Sequence, residues 1–242
     1  MKLYVVGFGC GSYEGMTLEA EKAISESDII TGYTVYTDIL KKYFPQKEFL
    51  STGMRQEKER VELALKTASE GMTVSLVCSG DSEVYGMAGL AYELSYLYPQ
   101  TEVITVAGVT AALSGGAVLG APLTHDFAVI SLSDLLTPWE KIELRLKCTA
   151  MADMTVVLYN PSSKKRADYL SKACEIMLEH KSADTVCGYV RNIGRDGETS
   201  KVLTLGELKN EQVDMFTTVF VGNSETKAVN GKMVTPRGYR NV

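Results

Sequence analysis

Thr73-Val74-Ser75-Leu76-Val77-Cys78-Ser79-Gly80-Asp81-Ser82-Glu83-Val84-Tyr85-Gly86 decides the fold class. The first six residues are uncharged and rich in β-branched and apolar side chains, as in a strand covered on both faces. Small and acidic residues follow where such a strand ends. Upstream, Val61, Ala64, Leu65 and Ala68 share one helical face, and Gly71 suits a C-cap. Downstream, the spacing predicts a helix from about Tyr85 to Tyr98, stopped before Pro99, then a strand at Glu102–Val106 and a helix over 110–119. Toward the N-terminus a strand is expected at 3–6, then a helix capped by Thr17 and carrying Leu18, Ala20, Ala23 and Ile24. A second strand follows at 28–30, then a helix bearing Val35, Tyr36, Ile39, Leu40 and Tyr43 that Pro45 ends. Strands alternating with helices of this length form a parallel α/β sheet.

Past Gly120-Ala121-Pro122 the pattern changes. Strands are expected at 127–132, 154–159 and 186–190. Thr137-Pro138-Trp139-Glu140 reads as a capping box with proline at the first helical position. Tyr169, Leu170, Ala173, Ile176 and Met177 mark another helix. Strands at 198–205 and 216–221, joined by a short helix near Leu208, lie close together and predict antiparallel pairing. The reading is an α/β chain of two lobes: 1–120 with a parallel sheet and 121–242 with a mixed one. No internal repeat is evident.

With 242 residues, one large domain or two half-size lobes are both open. A net charge of −5 argues against general nucleic-acid or anionic-membrane binding, so an anionic ligand needs a local basic pocket. Cys10, Cys78, Cys148, Cys174 and Cys187 are odd in number and widely spaced, without a CxxC. They point to a reducing compartment and away from disulfides or a zinc site. His125 and His180, the two histidines, form no metal cluster with them, and no metal is expected. The stretch 103–123 is weakly polar, but Gly108, Gly115, Gly116, Gly120 and Pro122 suit a strand, a turn and a packed helix better than a membrane span. A strand opens at once after Met1, so no signal peptide is expected and the cytoplasm is the expected location.

Three segments after strands could carry chemistry. Gly7-x-Gly9-x-Gly11 lets backbone approach a ligand or simply makes a tight turn. A dinucleotide site also needs a carboxylate at the end of the second strand. Ile30-Thr31-Gly32-Tyr33 has none, which counts against NAD and against the common Rossmann methyltransferase. In the second segment, Asp81 could accept from a ribose or an amino group, or it could cap a helix. In the third, Ala107-Gly108-Val109-Thr110-Ala111-Ala112, small residues leave room for a flat ring or for close helix packing.

In this order the three segments resemble the class III methyltransferases of tetrapyrrole biosynthesis. Several further runs narrow the resemblance. They are His125-Asp126-Phe127, Ser131-Leu132-Ser133-Asp134-Leu135-Leu136-Thr137-Pro138-Trp139, Leu158-Tyr159-Asn160-Pro161, Val213-Asp214-Met215, Val221-Gly222-Asn223-Ser224 and Thr235-Pro236-Arg237-Gly238-Tyr239. Together they resemble the precorrin-3B C17-methyltransferases and their cobalt-pathway counterparts, the cobalt-factor III methyltransferases, over nearly the whole chain. Cys10 and Ala107 depart from the pattern, since many members carry proline at both positions.

The resemblance implies S-adenosylmethionine as methyl donor, with S-adenosylhomocysteine as product, held tightly folded between the lobes. It implies C17 methylation with ring contraction in cobalamin biosynthesis, and a homodimer. Cys10, Ser79, Gly80, Asp81, Val84, Thr110 and Ala111 should line the cofactor pocket from the first lobe. Tyr159 and Asn160 should meet it from the second, with backbone near Leu203 and Thr204 at the adenine. The macrocycle carries many carboxylates, for which Arg55, Arg191 and Arg237 are the leading partners, and Lys58, Arg195 and Lys164-Lys165-Arg166 a further supply. Each is otherwise a solvated surface charge. For ring contraction the candidates are Asp134 as base or orienting group with Ser131 and Ser133 beside it, and His125 with Asp126. The plainer readings are a capping turn for 131–134 and a hinge histidine for His125. The alternatives in function are a class III methyltransferase acting at another corrin position and a nucleotide-binding module.

Overall fold

The structure, a computed structural model, describes residues 1–163 and 166–239. The chain divides into two compact units, Met1–Ala111 and Ala112–Val242, so almost all of the helix at Ala111–Leu119 goes with the second.

In the first unit, β1 (Lys2–Gly7), β2 (Ile29–Tyr33), β3 (Glu48–Thr52), β4 (Thr73–Cys78) and β5 (Glu102–Val106) form one sheet in the order β3-β2-β4-β1-β5. Every pairing is parallel. The covered strands β1 and β4 are the continuous apolar runs, because helices lie on both faces of the sheet. On one face α3 (Glu57–Ser69) and α4 (Ala88–Leu94) bury Val61, Leu65 and Ala91 against Leu3, Val5, Val74 and Leu76. On the other, α1 (Leu18–Glu26) and α2 (Thr34–Lys41) bury Ile24 and Leu40 against Val6, Ile30 and Val77. Thr17 caps α1, its Oγ1 accepting from Ala20 N at 3.1 Å.

Strand β3 escapes the sequence reading. It is a short edge strand whose Glu48 and Ser51 are exposed, so it has no apolar run. The helix expected from Tyr85 starts later, at Ala88. Residues 82–87 form a turn in which Tyr85 takes a left-handed φ of 56°, and Gly86 approaches the backbone of Ser82 too closely for any side chain.

The second unit holds α5 (Ala111–Leu119), β6 (Gly120–Ala121), β7 (Phe127–Ser131), α6 (Trp139–Met151), β8 (Thr155–Tyr159), α7 (Tyr169–Leu178), β9 (Val186–Arg191), β10 (Thr199–Thr204), α8 (Leu205–Leu208), β11 (Thr217–Val221), β12 (Lys227–Val229) and β13 (Lys232–Val234). Its main sheet runs β10-β9-β11-β8-β7. β7 and β8 are parallel; β11 is antiparallel to both β8 and β9, and β10 to β9, as the close spacing of the late strands predicts. Helices α6, α7 and α8 cover one face through Ile142, Leu146, Leu170, Cys174 and Leu208. A hairpin, β12–β13, pairs in parallel with β6, and Thr235 donates its hydroxyl to Pro122 O at 2.7 Å.

The capping box read at Thr137 is absent. Pro138 is the N-cap of α6 at ψ 143° and makes no side-chain cap. The box sits instead at Thr204, whose Oγ1 accepts from Glu207 N while Glu207 Oε2 accepts from Thr204 N. Among the described residues, no helix is long and apolar enough to cross a membrane, and no group of His, Cys, Asp and Glu could hold a metal ion.

Candidate functional site

Three loops leave the C-terminal ends of the adjacent strands β4, β1 and β5, the edge where open parallel sheets bind ligands. They are joined backbone to backbone. Gly9 N donates to Gly80 O at 3.0 Å, and Gly80 N donates to Gly9 O at 2.7 Å. Gly80 needs its glycine because φ is +74°. Gly108 needs its own for space, since a Cβ there would lie 2.2 Å from Gly80 O and 2.3 Å from Gly7 O.

Asp81 ties these loops. Its Oδ1 accepts from Glu83 N (2.8 Å) and Val84 N (3.0 Å), and its Oδ2 accepts from Gly108 N (2.9 Å). The residue is 8% exposed. Burial works against its charge, but the backbone N–H groups of Gly108, Val84, Glu83 and Ser82 outweigh it and hold the carboxyl below the ordinary aspartate range. Asp81 therefore caps its own turn and also clamps a second loop. Cys10 lies alongside with its thiol 3.8 Å from Val109 O, and Gly80 lies against Thr110 and Ala111. The structure thus brings Cys10, Ser79, Gly80, Asp81, Val84, Thr110 and Ala111 to one edge. A bed of backbone and small side chains there fits a nucleoside.

In the second unit the parallel strands β7 and β8 end side by side. Asn160, at a left-handed φ of 53°, donates Nδ2–H to Ser131 Oγ at 2.9 Å, and Ser133 N donates to the same oxygen at 3.2 Å. Arg166 carries the network on: Nη1 reaches Ser133 Oγ at 2.7 Å and Asp134 Oδ1 at 3.2 Å, and Nε reaches Ser163 Oγ at 3.1 Å. Tyr169 donates its hydroxyl to Asp134 Oδ2 at 2.7 Å and packs on Trp139. The Tyr169 hydroxyl, then the Arg166 guanidinium, hold the Asp134 carboxyl below its ordinary range, and the same contact raises the Tyr169 phenol. Asp134 is thus an ionised, oriented group and a weak base. Tyr159 faces the start of α5, its hydroxyl oxygen accepting from Ala112 N at 2.6 Å.

β9 runs in the same direction as β8, because both oppose β11, so Arg191 ends on this same edge. There it meets Asp214 (Nη2 to Oδ2, 2.6 Å) beside a cavity of about 260 Å³ lined also by Tyr189 and Thr217. Other expected site residues lie elsewhere. His125 precedes β7, at the opposite end of the strand from Ser131, roughly 20 Å away at the rise of an extended chain. It lines a separate cavity of about 350 Å³ with Asp153, Asn223 and Ser224. Thr204 pairs with Val186 at that far edge, its side chain engaged in the capping box, and is not brought to Tyr159 and Asn160. Arg237 donates to Thr124 O at 3.1 Å, also before β7. Arg55 is exposed in the loop after β3. Lys164 and Lys165 lie outside the described residues.

Sequence reasoning missed the roles of Arg166 and Tyr169. Arg166 is one of a basic run, and Tyr169 reads as a helix-face residue. The three-residue spacing of Ser163, Arg166 and Tyr169 is the signal that could have singled them out.

A model of the tetrapyrrole (corrin/porphyrin) methylases matches residues 2–209. The chain belongs to this family. It is therefore a methyltransferase, and its two five-stranded sheets are those of the class III fold. A probable cobalt-factor III C(17)-methyltransferase of Salmonella typhimurium is 44% identical over 98% of this chain and 99% of its own length. A precorrin-3B C(17)-methyltransferase of a Sinorhizobium species is 38% identical over 98% of this chain and 96% of its own. Among solved structures, the methyltransferase CobJ superposes with a TM-score of 0.85 at 33% identity, covering 97% of this chain and 99% of that one.

Proposed function

We propose that this methyltransferase transfers a methyl group from S-adenosylmethionine to C17 of cobalt-factor III or precorrin-3B, with ring contraction, in cobalamin biosynthesis. The observation that carries the reading is the glycine-packed junction of three strand-end loops in a chain 44% identical, end to end, to a relative named for that reaction. The residues fit the donor: Cys10, Ser79, Gly80, Thr110 and Ala111 offer backbone at the ligand-binding edge of the first sheet, and Asp81 and Val84 hold the loop that frames it.

The donor supplies an electrophilic methyl on a sulfonium that leaves neutral, so the chain's own contribution is orientation and exclusion of water. Within the second unit, Tyr159 braces the start of α5 and Asn160 fixes the Ser131 hydroxyl. Ser131, Ser133 and Asp134 present fixed hydroxyls and a fixed carboxylate to the macrocycle. Asp134, held low by Tyr169 and Arg166, orients and balances charge during contraction and leaves proton removal to a more basic group. Arg55 and Arg191 meet acetate or propionate side chains. The active form is a homodimer and the reaction is cytoplasmic.

The test is turnover. Purified protein is given S-adenosylmethionine with either cobalt-factor III or metal-free precorrin-3B, and the product is read by mass spectrometry and NMR. Methyl incorporation at C17 with a contracted ring from one of the two is expected. No incorporation from either, or a methyl at another carbon, overturns the reading.

A further inference from the structure

Arg60 is the one arginine of the first unit that is fully enclosed, at 3% exposed. It stands in the first turn of α3, at the same sheet edge as the glycine loops, since α3 begins where β3 ends. Its guanidinium contacts uncharged groups: Nε donates to Thr52 Oγ1 at 2.6 Å, Nη2 to Gly53 O at 2.6 Å and Nη1 to Met87 Sδ at 3.6 Å, and the Tyr33 ring lies 5.8 Å from Cζ. The carboxylate its charge feels is Glu57, one turn earlier, while burial pulls its pKa down.

This is an expensive placement. A cation without an ion-pair partner is buried in the first turn of a helix, where the backbone dipole is also positive. An apolar residue of similar length would fill the space at lower cost, so packing alone does not account for it. The hydrogen bonds show what the guanidinium holds. Both strong ones grip the start of the loop Thr52-Gly53-Met54-Arg55-Gln56, which Gln56 Oε1 also braces by accepting from Gly53 N at 2.7 Å. The next residue but one, Arg55, is exposed and held at a left-handed φ of 65°, a conformation unfavourable for a non-glycine residue that persists only where its surroundings impose it.

We propose that Arg60 is a positioning residue for the polycarboxylate substrate: it anchors the 52–56 loop so that Arg55 is presented to a macrocycle carboxylate, and it adds a buried positive charge behind it. The inference rests on the functional reading above and deepens it, assigning to this loop the recognition of the substrate's anionic rim. The charge acts over a distance because little water screens it, and the loop's rigidity spares Arg55 the entropy of ordering on binding.

The test uses the whole chain and a direct binding readout, quenching of tryptophan fluorescence by uroporphyrin III, a polycarboxylate tetrapyrrole, beside calorimetry with S-adenosylhomocysteine. Arg60→Met keeps the length and removes the charge, and by the logic of buried ions it folds with unchanged or higher thermal stability. We expect it to bind the porphyrin about tenfold more weakly, the worth of one charge-assisted carboxylate contact, with unchanged affinity for S-adenosylhomocysteine. Arg60→Lys should restore part of the porphyrin affinity. Arg55→Ala should show a similar loss, and the double variant Arg55→Ala/Arg60→Met should lose less than the sum, because one residue acts through the other. Equal porphyrin binding by Arg60→Met and wild type, or strictly additive losses, overturns the inference alone. A wild-type chain that binds no porphyrin also overturns this inference, while the functional reading is decided separately by the turnover assay. If Arg60→Met does not fold, Arg60→Lys with Arg55→Ala decides by the same additivity.

Discussion

Gly108→Ala is the sharpest probe of the loop junction. The added Cβ would sit 2.2 Å from Gly80 O, 2.3 Å from Gly7 O and 2.5 Å from Gly7 C, whereas ordinary contact begins near 3.4 Å. Some backbone must therefore retreat by about 1 Å, and all of it is already tied. Gly80 exchanges two hydrogen bonds with Gly9, and Gly108 N donates to the Asp81 carboxylate. Overpacking of this kind costs about 1–3 kcal/mol, and losing a hydrogen bond to a buried charge about 1.5–3 more, so a loss of about 2.5–6 kcal/mol is expected. That is a large share of the 5–15 kcal/mol typical of a folded chain. Urea denaturation followed by circular dichroism measures the loss, and calorimetry should show S-adenosylhomocysteine binding abolished or at least tenfold weaker. Gly89→Ala, in α4 with nothing within 4 Å of the new Cβ, is the control and should stabilise by about 0.5–1 kcal/mol. If Gly108→Ala lies within 1 kcal/mol of wild type and binds the nucleoside normally, the three loops do not form the junction described.

Three further outcomes follow from the same geometry. Asp81→Asn should cost about 1–3 kcal/mol at neutral pH, because an amide cannot accept from all three backbone donors. Its folded-state pKa is depressed, so the stability it adds is present above the unfolded aspartate value and disappears as pH falls through the lower, folded one. The wild-type minus Asp81→Asn stability difference should shrink in that acid range, and a pH-independent difference would refute the assignment. Asp134→Asn should reduce ring-contracted product in NMR while leaving S-adenosylhomocysteine affinity unchanged, whereas His125→Ala, at the far end of β7, should leave both as they are. Wild-type product from Asp134→Asn would remove it from the site. Thr204→Ala should cost about 1 kcal/mol through the lost capping box without touching nucleoside affinity; a fall in that affinity would return Thr204 to the donor site.

The sequence alone determined the parallel sheet of the first unit, because β1 and β4 are buried on both faces and leave continuous apolar runs with glycine-rich exits. It also determined the family, through runs such as Ser131–Trp139 in which neighbouring residues carry the signal together. It missed β3 and the β12–β13 hairpin. They are only three to five residues long and largely solvent-facing, and β3 and β13 gain strand character from β2 and β6, which lie farther off in the chain. It placed a capping box at Thr137 where only the local spelling fits, since whether a cap forms depends on where the helix begins.

What tertiary structure alone decided is which charged residues act together. Asp81, read as either ligand or cap, proved to be a clamp because β5 delivers Gly108 beside it. His125 and Asp134, only nine positions apart in chain order, lie at opposite ends of one strand. Arg60 and Arg166 look like ordinary helix-flanking cations until their partners are seen. The physical reason is range. Strand and helix character are set by neighbours within a few residues, whereas a charge takes its role from burial and from groups that only the folded chain brings within 3 Å.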